Sequence, residues 1–489
     1  MKKLKLLSAS LIFIYLILLI PEPKPDEIKV AEGTQFIWNR DSLWHSLEDS
    51  FVKAQTIGCI KLNNQIGKNL KDFSNLLSYI EKVNLKPNDR IFDSLLKIVF
   101  QSAPLIGACP DSSMQFIELN NQLRQIVKEK SRYWNPNELT SRNTLYKLIY
   151  GSRAAVEEII LQSDKNETPN LTNQNDENSV TPSTTFLGVK IHSGDILLSR
   201  GGAPTSALIS RGSDYPGNFS HVALVYIDPK TNAASIVEAH IEVGVAIATL
   251  EDYMRDKKLR VLVLRLRSDL SERIADPMLP HKAATASLNR ALVEHIPYDF
   301  EMDYKNPDKL FCSEVASSEY SRLGINLWMG KSTISSTGTA KLLAGFGVKY
   351  FETQEPSDLE YDPQLSVVTE WRDSETLYKD HVDNAVVDAI LEWSEAGNEI
   401  SIDWYMLPIF RAIKLYSVLL NQFNEAGPIP EGMSATSALR HEAFKTFHNS
   451  IKTVVLNKAE SFKRQNGYVP PYWRLLEFAR NDIQSYRKK

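Results

Sequence analysis

The chain has little cysteine, with three residues in 489, at positions 59, 109 and 312. They form no Cys-x-x-Cys pair, which argues against a structural zinc site. A Gly-x-Ser-x-Gly motif is also missing, so a serine hydrolase of that type has no support. The net charge is only −4, and no long basic run with interleaved aromatic residues occurs. Nucleic acid is therefore not an expected partner, and we expect neither a metal nor a cofactor.

The length and the hydrophobic patterning predict several domains. A chain of 489 residues is too long for one compact core, so two or three domains are expected. Helical periodicity predicts a helical N-terminal domain over residues 30–163, and a polar stretch predicts a linker over 164–186. Runs of β-branched residues predict a strand-rich domain over 187–345, and helical patterning returns over 346–489.

The first 21 residues are unlike the rest. Lysines at positions 2, 3 and 5 precede an apolar run that reaches Ile20 and is followed by Pro21 and Pro23. This pattern predicts a secretory signal peptide or a membrane anchor, with a buried N-terminal helix as the alternative. The positive charge before the run predicts that the bulk of the chain lies outside the cytoplasm, in the periplasm or cell envelope.

A second apolar stretch, "DWYMLPIFRAIKLYSVLLNQF", covers residues 403–423. Arg411, Lys414, Ser417 and Gln422 fall roughly on one side of it, which predicts an amphipathic helix packed on a neighbour. A membrane-spanning helix is the alternative, and the internal charges disfavour it.

The predicted compartment bears on the cysteines. An oxidising environment permits a disulfide between Cys59 and Cys109, although two separate buried thiols fit the sequence equally well. Cys312 is the odd residue in either case. An unpaired cysteine in an exported protein indicates a free reactive thiol.

Cys312 stands where an apolar stub meets a predicted helix, in "DKLFCSEVASSEYSRLG". Val315, Ala316, Tyr320 and Leu323 can form one buried stripe, so the cysteine lies at or just before the start of the helix. Free backbone N–H groups at that end favour a thiolate, which is the nucleophilic form. The alternative is a small buried hydrophobic residue without chemistry.

Two histidines lie inside predicted strands, His221 in "NFSHVALVYID" and His240 in "VEAHIEV". Glu238 is two residues from His240, so both side chains point to one face of the sheet. A carboxylate beside an imidazole fixes its tautomer and orientation. If "DPKTN" closes a hairpin, the strand with His221 pairs with the strand with Glu238, but the sequence leaves open whether Glu238 or His240 faces His221.

The order of five short motifs resembles a known family. "GDILLSR", "FSHVALV", "VEAH", "YDFEM" and "FCSEV" follow one another between residues 194 and 315. They are similar to the permuted papain-like amidases of the YaeF/YiiX type, in the NlpC-like superfamily. The lecithin:retinol acyltransferase-like enzymes are their relatives. The resemblance implies an α+β fold whose permuted papain-like core, an antiparallel sheet plus a cysteine helix, is flanked by helical regions.

The resemblance also implies roles for residues. Cys312 would be the nucleophile, His221 the base, and Glu238 the residue that orients His221, with His240 as the alternative. Tyr298 is the candidate oxyanion donor. Asp195 matches a motif position that we interpret as structural.

Two functions follow as hypotheses. The first is an extracytoplasmic cysteine hydrolase or acyltransferase that acts on an amide or ester bond in a cell-wall peptide or a lipid acyl substrate. Its partners would be a peptide or lipid-linked substrate, and the membrane through the N-terminal segment. The second is a catalytically inactive papain-like binding module in an envelope scaffold.

Overall fold

The computed structural model describes residues 12–13, 15–20, 28–38, 41–164, 168–173, 176–423 and 425–486. Of the predicted signal peptide or anchor at residues 1–21, residues 1–11, 14 and 21 lie outside these ranges. The described part of that segment is helical at residues 12–13 and 15–18.

Five α-helices lie between residues 41 and 162, and their apolar stripes make one core. Ile66, Phe73 and Ile80 of the second helix are buried, in line with the sequence periodicity. Cys59 and Cys109 form a disulfide whose Cα atoms are 5.4 Å apart. The helices are α1 (Asp41–Ile57), α2 (Cys59–Lys82), α3 (Ile91–Ala108), α4 (Ser113–Ser131) and α5 (Leu139–Gln162).

One of these helices, α3, is long and apolar enough to cross a membrane by length and composition. Its residues Leu95, Val99 and Ile106 are buried in the N-terminal core. We therefore describe α3 as a core helix.

A seven-stranded antiparallel sheet follows, in the order β1-β11-β8-β4-β5-β6-β7. Its strands are β1 (Leu171–Asn173), β4 (Ile196–Gly201), β5 (His221–Ile227), β6 (Ala234–His240), β7 (Gly244–Ala248), β8 (Lys258–Leu266) and β11 (Leu365–Arg372). Two small two-stranded sheets pair β2 (Ser183–Phe186) with β3 (Val189–His192) and β9 (Ser332–Thr333) with β10 (Glu352–Thr353). The combination of helices with an antiparallel sheet confirms the predicted α+β class.

The helices that accompany the strands are α6 (Pro204–Arg211), α7 (Leu250–Arg255), α8 (Ser271–Ala275), α9 (Leu279–Val293), α10 (Glu314–Arg322) and α11 (Thr337–Ala344). Alternate residues of the central strands face opposite layers. Ile196 and Leu224 pack with Val315 of α10 on one face, and Ala223 packs with Tyr253 of α7 on the other. The sheet is therefore covered on both faces.

The sheet extends beyond the predicted strand-rich range of 187–345. Strands β1 and β2 lie in the stretch predicted as a linker, and β11 lies beyond residue 345. β11 pairs with β8, about a hundred residues earlier in the chain. Such a long-range partner leaves no local pattern, which is why the sequence did not place β11 in the sheet.

The remaining helices are α12 (Ser374–Glu395), α13 (Leu407–Asn421), α14 (Ala435–Asn466) and α15 (Tyr472–Tyr486). The prediction that the apolar stretch at residues 403–423 packs on a neighbour is wrong for most of its apolar residues. In α13 only Leu407, Pro408 and Ser417 are buried, whereas Leu415 and Tyr416 are exposed. The helix contacts its neighbours with the opposite side, which carries Phe410 and Ile413.

Buried ion pairs join the N-terminal helices to the sheet. Arg124 of α4 contacts Glu370 of β11 at 2.8 Å and Glu360 at 3.1 Å. Arg153 of α5 pairs with Glu360 as well. All four side chains are at least nine-tenths buried, so the two regions share one desolvated charge network.

Candidate active site

The pairing of β5 with β6 brings together residues that the sequence places 17 positions apart. Ala223 pairs with Glu238, so His221 and Glu238 are diagonal neighbours on one face. The Nε2 atom of His221 lies 2.6 Å from Oε2 of Glu238, and Nε2 of His240 lies 3.0 Å from Oε1. The register that the sequence left open thus places Glu238 between two histidines.

The pKa values of the three side chains in this cluster are shifted in different directions. Burial opposes the ionisation of Glu238, but hydrogen bonds from His221 and then His240 outweigh it and hold the pKa of the carboxyl well below its usual range. Burial lowers the pKa of His221 in spite of its bond to Glu238. The hydrogen bond to Glu238 raises the pKa of His240. At neutral pH, His221 is therefore a neutral imidazole.

His221 has a free acceptor in this arrangement. A neutral imidazole that donates from Nε2 to a carboxylate keeps the lone pair on Nδ1. Nδ1 of His221 forms no hydrogen bond with any residue in the described ranges. His221 is also the first residue of β5, so its ring stands at the end of the strand, where it can accept a proton from a neighbouring group.

The position of Cys312 follows from the turn before α10. Tyr298 and Leu310 form a short parallel bridge, and a side-chain oxygen of Glu314 accepts the N–H of Phe311 at 3.0 Å. These contacts fix the chain just before the helix, with Ser313 as its cap residue. Cys312 is the free cysteine of the described chain and is 4% exposed.

The sulfur of Cys312 rests against the backbone on both sides of His221. Sγ lies 4.0 Å from the Ser220 carbonyl oxygen. Burial raises the pKa of the thiol to about 12, although the N–H of Val222 and the N–H and hydroxyl of Ser313 favour the anion. The expectation of a thiolate stabilised by the helix start is therefore wrong for this arrangement, because desolvation outweighs the backbone donors.

No hydrogen bond joins the Cys312 sulfur to His221, both of which lie in the described ranges. Catalytic hydrogen bonds are often long or poorly aligned before substrate binds. The structure thus brings His221, Glu238 and His240 into direct contact and places the sulfur against the backbone that flanks His221, without a bond to the ring.

Tyr298 stands near the sulfur with a free hydroxyl. Burial, and then the proximity of Cys312, raises the pKa of this phenol well above its usual range. The hydroxyl forms no hydrogen bond with another described residue. It therefore remains a neutral donor available to a third group.

Two further ionisable residues near the site were not identified from the sequence. Glu355 contributes to the raised pKa of Cys312, and its own pKa is raised to about 8 by burial and then by Asp358. Lys258 contributes to lowering the pKa of His221. Glu355 lies beyond the predicted domain boundary and Lys258 opens an unremarkable strand, so no local signal marked either residue.

Asp195 takes part in a buried contact on the first central strand. Its carboxylate accepts two bonds from Arg265, at 2.8 and 2.9 Å, and one from the His192 N–H at 2.8 Å. These contacts join the residue that precedes β4 to β8 and to the last residue of β3, which fits the structural interpretation of Asp195.

A large cavity lies away from these residues. It has a volume of about 830 Å³ and lies between the N-terminal helices and the helices α12 and α15, where Trp44, Tyr150, His381 and Trp473 contribute to its lining. None of Cys312, His221 and Glu238 lines it. The candidate active site therefore does not open into this cavity.

Comparison with known proteins identifies the segment that holds the site. Residues 190–369 match the family described as permuted papain-like amidase enzyme, YaeF/YiiX, C92 family. No curated protein and no solved structure matches the chain. The matched segment contains all the candidate residues and reaches β11, and the family supports a papain-like cysteine enzyme of the amidase or peptidase type. The candidate site thus lies within the part of the chain that is similar to the permuted papain-like amidases of the YaeF/YiiX family.

Proposed function

We propose that the protein is an extracytoplasmic cysteine hydrolase or acyltransferase in which Cys312 attacks the carbonyl of an amide or ester. His221 is the base, and Glu238 holds its ring. The observation that carries the proposal is the bond from Nε2 of His221 to Glu238 at 2.6 Å, which leaves Nδ1 free at the strand end against which the sulfur rests.

The raised pKa of Cys312 makes general-base catalysis the fitting route. Nδ1 of His221 takes the thiol proton while Sγ bonds to the carbonyl carbon. The backbone N–H groups of Val222 and Ser313, with the Tyr298 hydroxyl, are the donors available to the oxyanion. The C–N or C–O bond then breaks, and the leaving group receives the proton from His221. Water or another acceptor cleaves the thioester, and the thiol is restored.

The amidase family implies a peptide-type amide as the substrate. The proposed range of substrates also includes a lipid-linked amide or ester. The Cys59–Cys109 disulfide supports a location outside the cytoplasm, since disulfides persist in oxidising compartments. The apolar run behind the lysines at positions 2, 3 and 5 supports export or membrane anchoring.

The test compares the full chain with Cys312→Ala on peptide amides and on acyl esters. We expect hydrolysis by the wild type and a loss of at least ~10³-fold in the variant, because the nucleophile is removed. Hydrolysis that survives in Cys312→Ala would overturn the proposal.

The inactive binding module remains a second candidate, because burial keeps the thiol protonated and the sulfur has no bond to His221. That candidate expects the wild type and Cys312→Ala to bind the same peptides and to turn over none. Formation of a thioester at Cys312 would exclude it.

A further inference from the structure

The outer side of α13 carries an uncharged apolar stripe. Its exposed positions recur at helical spacing, and the side chains are large; Leu415 is 65% exposed and Phe423, just past the end of the helix, 76%. The stripe consists of Ile409, Ala412, Leu415, Tyr416, Val418, Leu419 and Phe423. A soluble protein rarely leaves so continuous an apolar face to water.

The cations of this helix are directed away from the stripe. The Lys414 ammonium donates to the Pro430 carbonyl at 2.8 Å, and the Arg411 guanidinium donates to the Leu18 carbonyl at 2.8 Å. No charged group of this described helix therefore interrupts the stripe.

The N-terminal apolar segment, residues 12–20 without residue 14, lies next to α13. The Tyr15 hydroxyl donates to the Tyr405 carbonyl at 2.8 Å, and Leu18 accepts the bond from Arg411. Its residues Phe13, Leu16 and Ile20 are each more than half exposed. Every described residue between positions 12 and 20 is aliphatic or aromatic, so this segment is apolar around its circumference.

A lipid bilayer fits the two elements better than a protein partner does. A helix that is apolar all round belongs in lipid, whereas a protein partner covers one side. In the sequence, lysines at positions 2, 3 and 5 precede the run, and basic residues beside an apolar run favour the headgroup region of a membrane. Aromatic side chains at Trp404, Tyr405 and Tyr416 are exposed around the same surface, as is usual at a membrane interface.

The length of α13 fixes how it can meet the bilayer. Its 15 residues span about 22 Å at a rise of ~1.5 Å per residue, short of the ~30 Å hydrocarbon core. It therefore lies along the interface and does not cross the membrane.

We propose that the outer stripe of α13 and the N-terminal apolar segment form one lipid-docking surface that holds the catalytic domain against the bilayer. On the opposite side of α13, Phe410 and Ile413 pack against a buried cluster, and Ile241 and Phe300 pack against the same cluster, which consists of Ile429, Met433 and Ala438. Ile241 follows His240, and Phe300 lies two residues after Tyr298. Docking therefore brings the candidate active site to the membrane surface. The docking itself does not depend on the catalytic proposal.

The test places an environment-sensitive label on the stripe. Leu419→Cys is made in a Cys312→Ala background, so that the new thiol is the free one, and is labelled with a nitrobenzoxadiazole dye. Phosphatidylcholine vesicles with a minor share of phosphatidylglycerol, with and without doxyl-labelled lipid, are then added. We expect a blue shift, a several-fold rise in emission and strong quenching by the doxyl lipid, because such a face sinks about 5–10 Å below the headgroups.

The matched control is Tyr133→Cys, also in the Cys312→Ala background, since Tyr133 is 74% exposed in the N-terminal helical region. Its label should be insensitive to vesicles. Adding Leu415→Lys to the variant labelled at position 419 should weaken the quenching there.

Vesicle flotation reports binding of the whole chain. A label at 419 that stays water-exposed while the chain floats would overturn the proposal. So would a blue shift without vesicles that grows with protein concentration, which would indicate a second copy on this face. No arm uses activity, so failure here is distinct from failure of the catalytic proposal.

Discussion

One side-chain oxygen of Glu238 contacts His221 and the other contacts His240. Substitutions of Glu238 and of His240 should therefore affect catalysis to different extents. Glu238→Gln removes the negative charge that keeps the His221 ring in one tautomer and supports its protonated state. We expect kcat to fall by ~10²-fold or more, the size of a general-base contribution, with little change in KM. His240→Ala retains the bond between His221 and Glu238 and should cost less. Equal losses in the two variants, measured on the substrate identified for the wild type, would contradict these roles.

Glu355 is a buried carboxyl that lowers stability at high pH. Its pKa is raised to about 8 by burial and then by Asp358, against about 4.3 for a free glutamate. The folded state therefore holds a proton that the unfolded state has released, and the free energy of unfolding falls as the pH rises through that window.

Glu355→Gln should remove that part of the fall. We expect the variant to be more stable than the wild type at pH 8 and to match it near pH 4, as measured by urea unfolding across pH. Glu352→Gln, at an exposed neighbouring site, is the control and should keep the wild-type slope above pH 5. An unchanged slope in Glu355→Gln would show that this carboxyl does not titrate as described.

At the scale of elements, the turn into β7 positions the segment that carries Tyr298. Gly244 has φ +77°, and a Cβ there would lie 2.2 Å from the Ile296 carbonyl oxygen. The neighbouring Val245 N–H donates to that oxygen at 2.9 Å. The close approach fixes residues 296–298 beside the sheet.

Gly244→Ala should therefore displace the Tyr298 segment and lower both the melting temperature and the activity. Gly188→Ala is the matched control, since Gly188 has φ +81° and a Cβ there would meet no described atom within 4 Å. Both variants bear the strain of a left-handed backbone, roughly 1 kcal/mol. Only Gly244→Ala adds the clash, so equal effects of the two substitutions would contradict the positioning role.

The sequence predicted the elements of the site better than their mutual placement. The strands of His221 and Glu238 and the helix after Cys312 left local patterns, and the family resemblance gave their order. The register of β5 on β6 and the burial of the thiol depend on packing by residues distant in the chain. The sequence could not distinguish the exposed stripe of α13 from a stripe that faces the core. Periodicity identifies the apolar face of a helix but not what lies against that face.

At the scale of the whole molecule, buried charges connect the helical N-terminal part to the sheet. Glu360→Gln would leave Arg124 and Arg153 short of a buried partner, which typically costs about 3–5 kcal/mol. We expect a large fall in the free energy of unfolding. Glu352→Gln loses the charge that pairs with Lys331 at the surface and keeps an acceptor for the Tyr304 hydroxyl, so it should cost no more than ~1 kcal/mol. Similar unfolding curves for the two variants would show that the network does not stabilise the fold.

The number of free cysteines tests the prediction that the chain lies in an oxidising compartment. With Cys59 and Cys109 in a disulfide and Cys312 free, the chain isolated under alkylating conditions and then unfolded should carry a single alkylated cysteine. Three alkylated cysteines would show a reduced chain and would speak against an oxidising compartment.

The most direct test of the central claim is site-resolved acylation by a small activated ester such as p-nitrophenyl acetate, followed by intact-mass and peptide mass spectrometry. The account predicts an acetyl group on Cys312 in the wild type, with a rate at least ~10²-fold lower in His221→Ala, because the base that removes the thiol proton is lost. An unmodified Cys312 in the wild type, or equal rates in the wild type and His221→Ala, would contradict it.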